Sequence, residues 1–445
     1  MSTGSHQEDK TASIEGIPPT WQSTPVNYLF RIVGGDGFAP ELQGESSGDL
    51  PFLKNSDISS GITRISTAAN YVSHALARRE GFSLVPPKSI LMGKIGESMK
   101  KNHRVLNTVA CCIDNNMQAM VPDVRLITPE YGLYALKLLN ATDFNNGGPV
   151  PSINNVKWKR ARIPIPLLHE QRLIANVLDD KLAKIDQAMS LLRRELETME
   201  QLKKSLIYEA VTKGLDPTVP MRPSGVDWIG DIPESWECKR LKYVLEESSN
   251  NLRVGPFGSA ISTDDYTDEG YWLYNQRCVL DQNFETNNVR IKPVKYRELS
   301  SFRVFPGDML ITTRGTIGRL AVVPDDAPEG VLHPCVIRFR INAEHLMPSY
   351  LKYVFNETDV AISQLSDLSN ATTIDVVYSS NLVAVRIPIP SASEQHAIAD
   401  YLDSKCETLD KALAAKRGQI EVLRKQRQSL VYEYVTGKRR VSEVN

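Results

Sequence analysis

The sequence has almost no net charge and no long apolar run. Its 52 Lys and Arg stand against 53 Asp and Glu, for a formal charge of -1, so bulk charge argues neither for nor against a nucleic-acid partner. No stretch approaches the roughly 18 apolar residues that a membrane helix needs. The start, MSTGSHQEDKTASIEG, is polar and lacks the apolar core of a signal peptide, so the cytoplasm is the expected compartment. Six cysteines (Cys111, Cys112, Cys238, Cys278, Cys335 and Cys406) include no C-x-x-C pair and no matching His spacing. That pattern speaks against structural zinc and against a disulfide framework.

Signatures of catalysis are missing as well. There is no G-x-x-x-x-G-K-[ST] loop, and GGDG at Gly34 does not sit as a dinucleotide fingerprint between strand and helix. The Pro-Pro pairs at Pro18 and Pro86 lack the Asn or Asp before and the aromatic after that an amino-methyltransferase loop shows. Seven histidines are scattered, and no carboxylate and lysine cluster suggests a nuclease centre. The expectation is a binding protein with no metal and no cofactor of its own.

What the sequence does contain is a repeat. RIPIPLLHEQRLIANVLDD from Arg162 and RIPIPSASEQHAIADYLDS from Arg386 open two segments that share roughly 22 of 51 positions without a gap. The 445 residues, about three average domains' worth, therefore read as a tandem duplication. The expected parts are an unstructured start over 1–16, a globular block over 17–161, a long helix over 162–214, a Pro-rich link over 215–231, a second block over 232–385 and a second helix over 386–440.

After each RIPIP a heptad seam begins. In the first copy it runs through Leu178, Leu182, Ile185, Met189, Leu192 and Leu196; in the second through Leu402, Cys406, Leu409, Leu413, Ile420, Leu423 and Leu430. Lys416 and Arg427 occupy two core positions of the second, and Lys203 marks a phase slip in the first. Ser391 and Glu394 have capping-box spacing, which Leu167 spoils in the other copy. Neither seam can be buried alone, so an antiparallel pair is expected. Gly214 and Gly437 are the expected helix stops.

The two blocks agree only in outline. Both open on IPxxW (IPPTW at Ile17, IPESW at Ile232), carry an apolar strand before a glycine turn (SILMGKIG, DMLITTRGTIG), and close on a short helix ending in Asn (YALKLLN from Tyr134, YLKYVFN from Tyr350). The expected class is α+β with antiparallel or mixed sheets. Candidate DNA contacts are Lys94, Lys100, Lys101, Arg104, Asn115, Asn116 and Gln118 in the first block, with Lys157, Lys159 and Arg160 at its end. In the second they are Asn275, Gln276, Arg277, Thr313, Arg314 and Thr316. Asn and Gln suit adenine edges, Arg suits guanine, and Lys suits phosphate.

These residues carry a family resemblance. The duplicated RIPIP…EQ…IA…LD signature (Glu170, Gln171 and Asp179 paired with Glu394, Gln395 and Asp403), the helix exits SLIYEAVTKG and SLVYEYVTGK, the link SGVDWIGDIPESW and PFGSAI at Pro256–Ile261 resemble the specificity subunit of a type I restriction-modification system. The resemblance implies two target-recognition domains joined by two long antiparallel coiled-coil helices in a pseudo-twofold arrangement. Each domain would read half of a split double-stranded DNA target, with the helices as a spacer ruler and docking site for modification subunits. Those partners would bring S-adenosylmethionine, and restriction subunits ATP and Mg. The chain itself would do no chemistry. The competing reading from the residues is a coiled-coil adaptor whose blocks bind protein.

Overall fold

The RIPIP stretches form short strands, Arg162–Ile165 and Arg386–Ile389, because proline holds its own φ and its predecessor in the extended range. Each pairs antiparallel with the strand that follows an IPxxW sequence: Gln22–Pro25 with the first, Glu237–Arg240 with the second. A long helix then begins in each copy, Leu168–Lys213 (46 residues) and Ala392–Val435 (44 residues), each about 65–70 Å long at 1.5 Å per residue. Gly214 and Gly437 end them at φ of 79° and 74°, left-handed backbone that glycine adopts without a Cβ penalty. At the second helix start, Ser391 N–H donates to Glu394 Oε2 (3.0 Å) while Glu394 N–H donates to Ser391 Oγ (3.3 Å), completing the capping box.

The computed structural model describes residues 16–58, 62–285, 289–368 and 376–441; the unstructured start expected over 1–16 lies outside them except for Gly16. Contacts divide the chain into two compact units. One takes the chain up to Arg193 and again from Arg417; the other is Arg194–Lys416. Both long helices therefore contribute one part to each unit. The first unit holds the first block, the start of the first helix and the end of the second; the second unit holds the reverse.

Within each unit the helix segments run antiparallel. In the first, Leu178, Leu182, Ile185 and Met189 are buried together with Ile420 and Leu430, and Asp186 accepts from Arg427 Nε at 3.1 Å. In the second, Leu402, Cys406 and Leu413 are buried, Glu195 pairs with Lys416 at 2.5 Å and Lys203 with Asp410 at 2.8 Å. Going up one helix from Glu195 to Lys203 means going down the other from Lys416 to Asp410. The three cations that interrupt the heptads thus each find a carboxylate on the facing helix. Four positions expected in the core, Leu192, Leu196, Leu409 and Leu423, are only half-buried, because two helices alone cover just one side of each seam residue.

Each block packs onto its helices through the same set of contacts. Trp21 Nε1 donates to Glu170 Oε2 (2.9 Å) in the first unit, and Trp236 Nε1 to Glu394 Oε1 (3.0 Å) in the second. Gln171 Nε2 donates to Leu126 O and Pro166 O while its Oε1 accepts from Thr128 N–H; Gln395 does the same with His345 O, Pro390 O and Met347 N–H. The Tyr131 hydroxyl donates to Pro164 O and sits 3.4 Å from Val435 O; Tyr350 bridges Pro388 O and Val211 O. Tyr134 and Tyr353 donate to Asp179 and Asp403. The sequence match of Tyr134 with Tyr350 is accordingly corrected by three residues: Tyr131 corresponds to Tyr350 and Tyr134 to Tyr353, since the hydrogen bonds, and not the terminal Asn, define the register.

The block cores are mixed sheets. In the first block, antiparallel strands lie in the order Phe30–Gly34, Met117–Pro122, Ile90–Gly93, Val105–Asn107, beside a second sheet in which Leu50–Leu53 runs parallel to Cys112–Ile113. In the second block the order Leu252–Val254, Val336–Phe339, Met309–Thr312, Leu320–Val322 repeats it, and Tyr271–Tyr274 runs parallel to Gly330–Leu332. No helix among the described residues is long and apolar enough to cross a membrane.

Candidate nucleic-acid interface

In both blocks the strand pairing brings four loops to one end of the sheets. Gly34 pairs with Gln118, Gly93 with Met117 and Leu53 with Ile113, so the loops after residues 34, 53 and 93 meet the turn at 114–116. In the second block Val254 pairs with Ile337, Thr312 with Val336 and Tyr274 with Leu332, which gathers the loops after 254, 274 and 312 around the turn at 333–335. The backbone closes both clusters alike: Gly35 N–H donates to Met117 O (3.2 Å) and Gly255 N–H to Val336 O (3.0 Å). A Cβ at either glycine would stand 2.0 Å from Asp114 O or 2.2 Å from His333 O, so only glycine fits the approach.

A fifth segment joins each cluster. Ile95 bridges Ser152 in the first block and Arg314 bridges Val376 in the second, and a short helix follows directly, Asn155–Arg160 or Ser379–Ala384. The first carries Lys157, Lys159 and Arg160, all exposed, around a buried Trp158; its counterpart SSNLVA has no cation.

The side chains on this shared frame differ. In the first block Lys94 and the exposed Asn115 and Asn116 are at the cluster, with Lys100 and Lys101 exposed on the short helix and turn that follow. Asn116 is partly committed, since Asp114 Oδ1 accepts from both its N–H and its Nδ2 at 2.8 Å; Lys100 pairs with Glu97. In the second block Arg314 and Thr316 are exposed, Arg277 is exposed beside Asp281 at 3.4 Å, and Gln276 is half-buried next to Gly315. Asn275 caps its helix by accepting from Arg277 N–H at 2.8 Å. Its side chain therefore shapes the loop first.

Three candidates are corrected. Arg104 is 2% exposed, donates to His103 O (2.9 Å) and Asn102 Oδ1 (2.7 Å), and lies over the Trp158 ring; burial pushes its guanidinium pKa down. Gln118 is 1% exposed and faces Met92 Sδ in the sheet. Thr313 is 4% exposed, its backbone occupied by Cys335 O and Val377 N–H. Gln118 lies in Met117–Pro122, Arg104 directly precedes Val105–Asn107 and Thr313 directly follows Met309–Thr312, segments buried on both faces, which a sequence of isolated polar residues does not disclose.

The structure also adds residues to the cluster. Leu252 to Gly258, Phe302, Pro334 and Val376 to Ser379, together with the sequence candidates Thr313 and Arg314, line a cleft of about 600 Å³ in the second block. Arg253 sits in it, stacked over the Phe302 ring, and Phe257 at its rim is 89% exposed. The loop of the first block that matches 255–258 is Gly35 to Phe38. The wording PFGSAI was visible as a family trait, but nothing local to it said which side chain points outward.

Paired α+β blocks of one frame, clamped by duplicated contacts to antiparallel helices and differing in their loop side chains, define a two-reader recognition scaffold. The chain belongs to the type I restriction modification DNA specificity domain family, whose model matches residues 18–198 and 233–423. It is 22% identical to the type I restriction enzyme MjaVIII specificity subunit of Methanocaldococcus jannaschii, over 99% of this chain and 98% of that one. It is 23% identical to the EcoBI specificity subunit of Escherichia coli, over 92% and 85%. A solved structure from work on complex assembly and conformational transition of the type I R-M system has the same fold, with a TM-score of 0.68 at 15% identity over 95% of this chain and 100% of that one.

Proposed function

We propose that this chain selects a bipartite target in double-stranded DNA for a type I restriction-modification complex, each block reading one half through the loop end of its sheets. The observation that carries the reading is the duplicated cluster: the same backbone frame built twice, with different side chains at the same end. Keeping the frame while varying its loops is how one architecture reads two different base sequences. The two long helices, 46 and 44 residues, are proposed to set the spacer between half-sites and to offer the docking surface for modification subunits.

The chemistry belongs to partners in this reading. Modification subunits bring S-adenosylmethionine and methylate adenine, and restriction subunits use ATP and Mg. This chain's own residues bind, orient and discriminate, in the cytoplasm. A net charge of -1 fits a component that leaves part of the phosphate clamp to its partners.

The test is co-expression with a modification subunit, followed by mapping of methylated adenines across a genome by single-molecule sequencing. A single split motif is expected, with only one half altered when residues 232–385 are exchanged for another block. Absence of any motif from an assembled, S-adenosylmethionine-supplied complex overturns the proposal.

A further inference from the structure

A large aromatic ring left in solvent forgoes the free energy that burying its apolar surface supplies. Phe257 is 89% exposed, yet its loop is tied down on both sides. Gly255 N–H donates to Val336 O (3.0 Å), Ala260 N–H donates to Phe257 O (2.8 Å), and the backbone at Gly255 approaches His333 O so closely that no Cβ fits. The ring is therefore held out by the fold.

The first block shows that the frame does not require this. There the equivalent loop, Gly35 to Phe38, turns its phenylalanine inward: Phe38 is 8% exposed and stacks on Phe52 with ring centroids 3.8 Å apart. The first block buries the phenylalanine of this loop, which stands one position further from the glycine than Phe257, and the second presents its own to solvent.

The surroundings indicate what covers Phe257. Among the described residues, the cleft beside it is lined by Arg253 and Arg314 and by no Asp or Glu. Arg253 Nε is buried without a hydrogen-bond partner, and neither guanidinium has an ion-pair partner among the described residues. An exposed aromatic at the rim of a cleft lined by two arginines that have no ion-pair partner among the described residues suits a partner that is anionic along its backbone and apolar on its bases. It does not suit a plain apolar protein surface, against which the arginines would be buried unpaired.

We propose that Phe257 is a DNA-contacting residue of the second block, making an apolar contact with the bases of its half-site while Arg253 and Arg314 take a base edge or phosphate in the adjoining cleft. The inference rests on the reading of the block as a DNA reader. It assigns the contact to one half-site only, because Phe38 is buried in the core of the first block.

The experiment uses the chain assembled with its modification subunit on the target duplex established by methylation mapping. A missing motif at that stage fails the reading of function, and not the assignment of Phe257. With the target in hand, Phe257→Ala is expected to weaken duplex binding by about tenfold or more, and Phe257→Leu by less, with unchanged thermal melting since the side chain is 89% exposed. On a duplex whose second-block half-site is scrambled, wild type and Phe257→Ala should bind alike; with the other half-site scrambled, the difference should persist. Deoxyuridine in place of thymine identifies a C5-methyl contact by a penalty in wild type that Phe257→Ala lacks. A 2-aminopurine signal that rises with wild type only identifies an unstacked step. Binding of Phe257→Ala within twofold of wild type, or a weakening that ignores which half-site is scrambled, overturns the proposal.

Discussion

Gln171 and Gln395 show how a single side chain can join three pieces of chain. Each amide makes three hydrogen bonds to backbone groups of the block and of the helix start, with exposures of 0% and 1%. Replacement by Leu leaves a buried N–H and two carbonyls unpaired, so Gln395→Leu should lower the unfolding free energy by about 1–3 kcal/mol, measured by urea titration. Lys137 offers a pH test. Burial pushes its pKa down to about 7, with the Arg427 and Arg104 cations adding to the effect. A depressed amine binds fewer protons folded than unfolded between that value and its ordinary one of 10.5, so its contribution to stability rises with pH across that window and is lost as pH falls toward 7. Melting temperature should therefore climb less between pH 7 and 9 in Lys137→Met than in wild type. Equal slopes would show that Lys137 is charged in the folded state.

At the scale of elements, the long helices combine apolar seam positions with cations that a heptad pattern alone marks as faults. Ile185 is 8% exposed, and Ile185→Asp places a carboxylate in that seam, which should destabilise the first unit by about 2–5 kcal/mol and prevent assembly with modification subunits while the sheets stay folded. Intact assembly of that variant would show that docking does not depend on the helix pair. The ion pairs carry register. Lys416→Glu sets two acids against each other near Glu195 and should cost about 1 kcal/mol, with Glu195→Lys in the same chain restoring most of it; thermal unfolding of the single and double variants measures both effects. The heptads, the helix stops and the capping box were all legible in the sequence because they depend on neighbours within a turn or two. The carboxylates facing Lys203, Lys416 and Arg427 were not, since each lies more than 200 positions away along the chain.

At the scale of the molecule, near-neutral charge predicts that the chain alone binds DNA weakly and through few phosphates. Raising salt from about 50 to 200 mM should weaken that binding by roughly 10- to 100-fold. Lys157→Gln, Lys159→Gln and Arg160→Gln together should reduce the salt slope by about one for each phosphate that the helix no longer neutralises, measured by fluorescence anisotropy on a non-specific duplex. An unchanged slope would place that helix away from the DNA. Of the candidate DNA-binding residues named from sequence, those in turns, such as Asn115, Arg314 and Thr316, lie exposed at the loop clusters. Arg104, Gln118 and Thr313 do not, because they lie in or directly beside strands buried on both faces, and single polar residues do not reveal that burial.

The sequence by itself determined the duplication, the two long helices with their starts and stops, the α+β class of the blocks and the family. These follow from prolines, glycines and heptads acting over a few residues, and from self-similarity that needs no coordinates. Tertiary structure alone decided that each helix exit packs in the unit of the other block, so that Tyr131 meets Val435 and Tyr350 meets Val211. It also decided that the four loops converge at one end of each sheet, that Arg104 lies inside, and that Phe257 faces solvent while Phe38 does not. Those outcomes depend on strand pairing and burial between distant segments, and a linear pattern of residue types does not encode which distant surface will cover which.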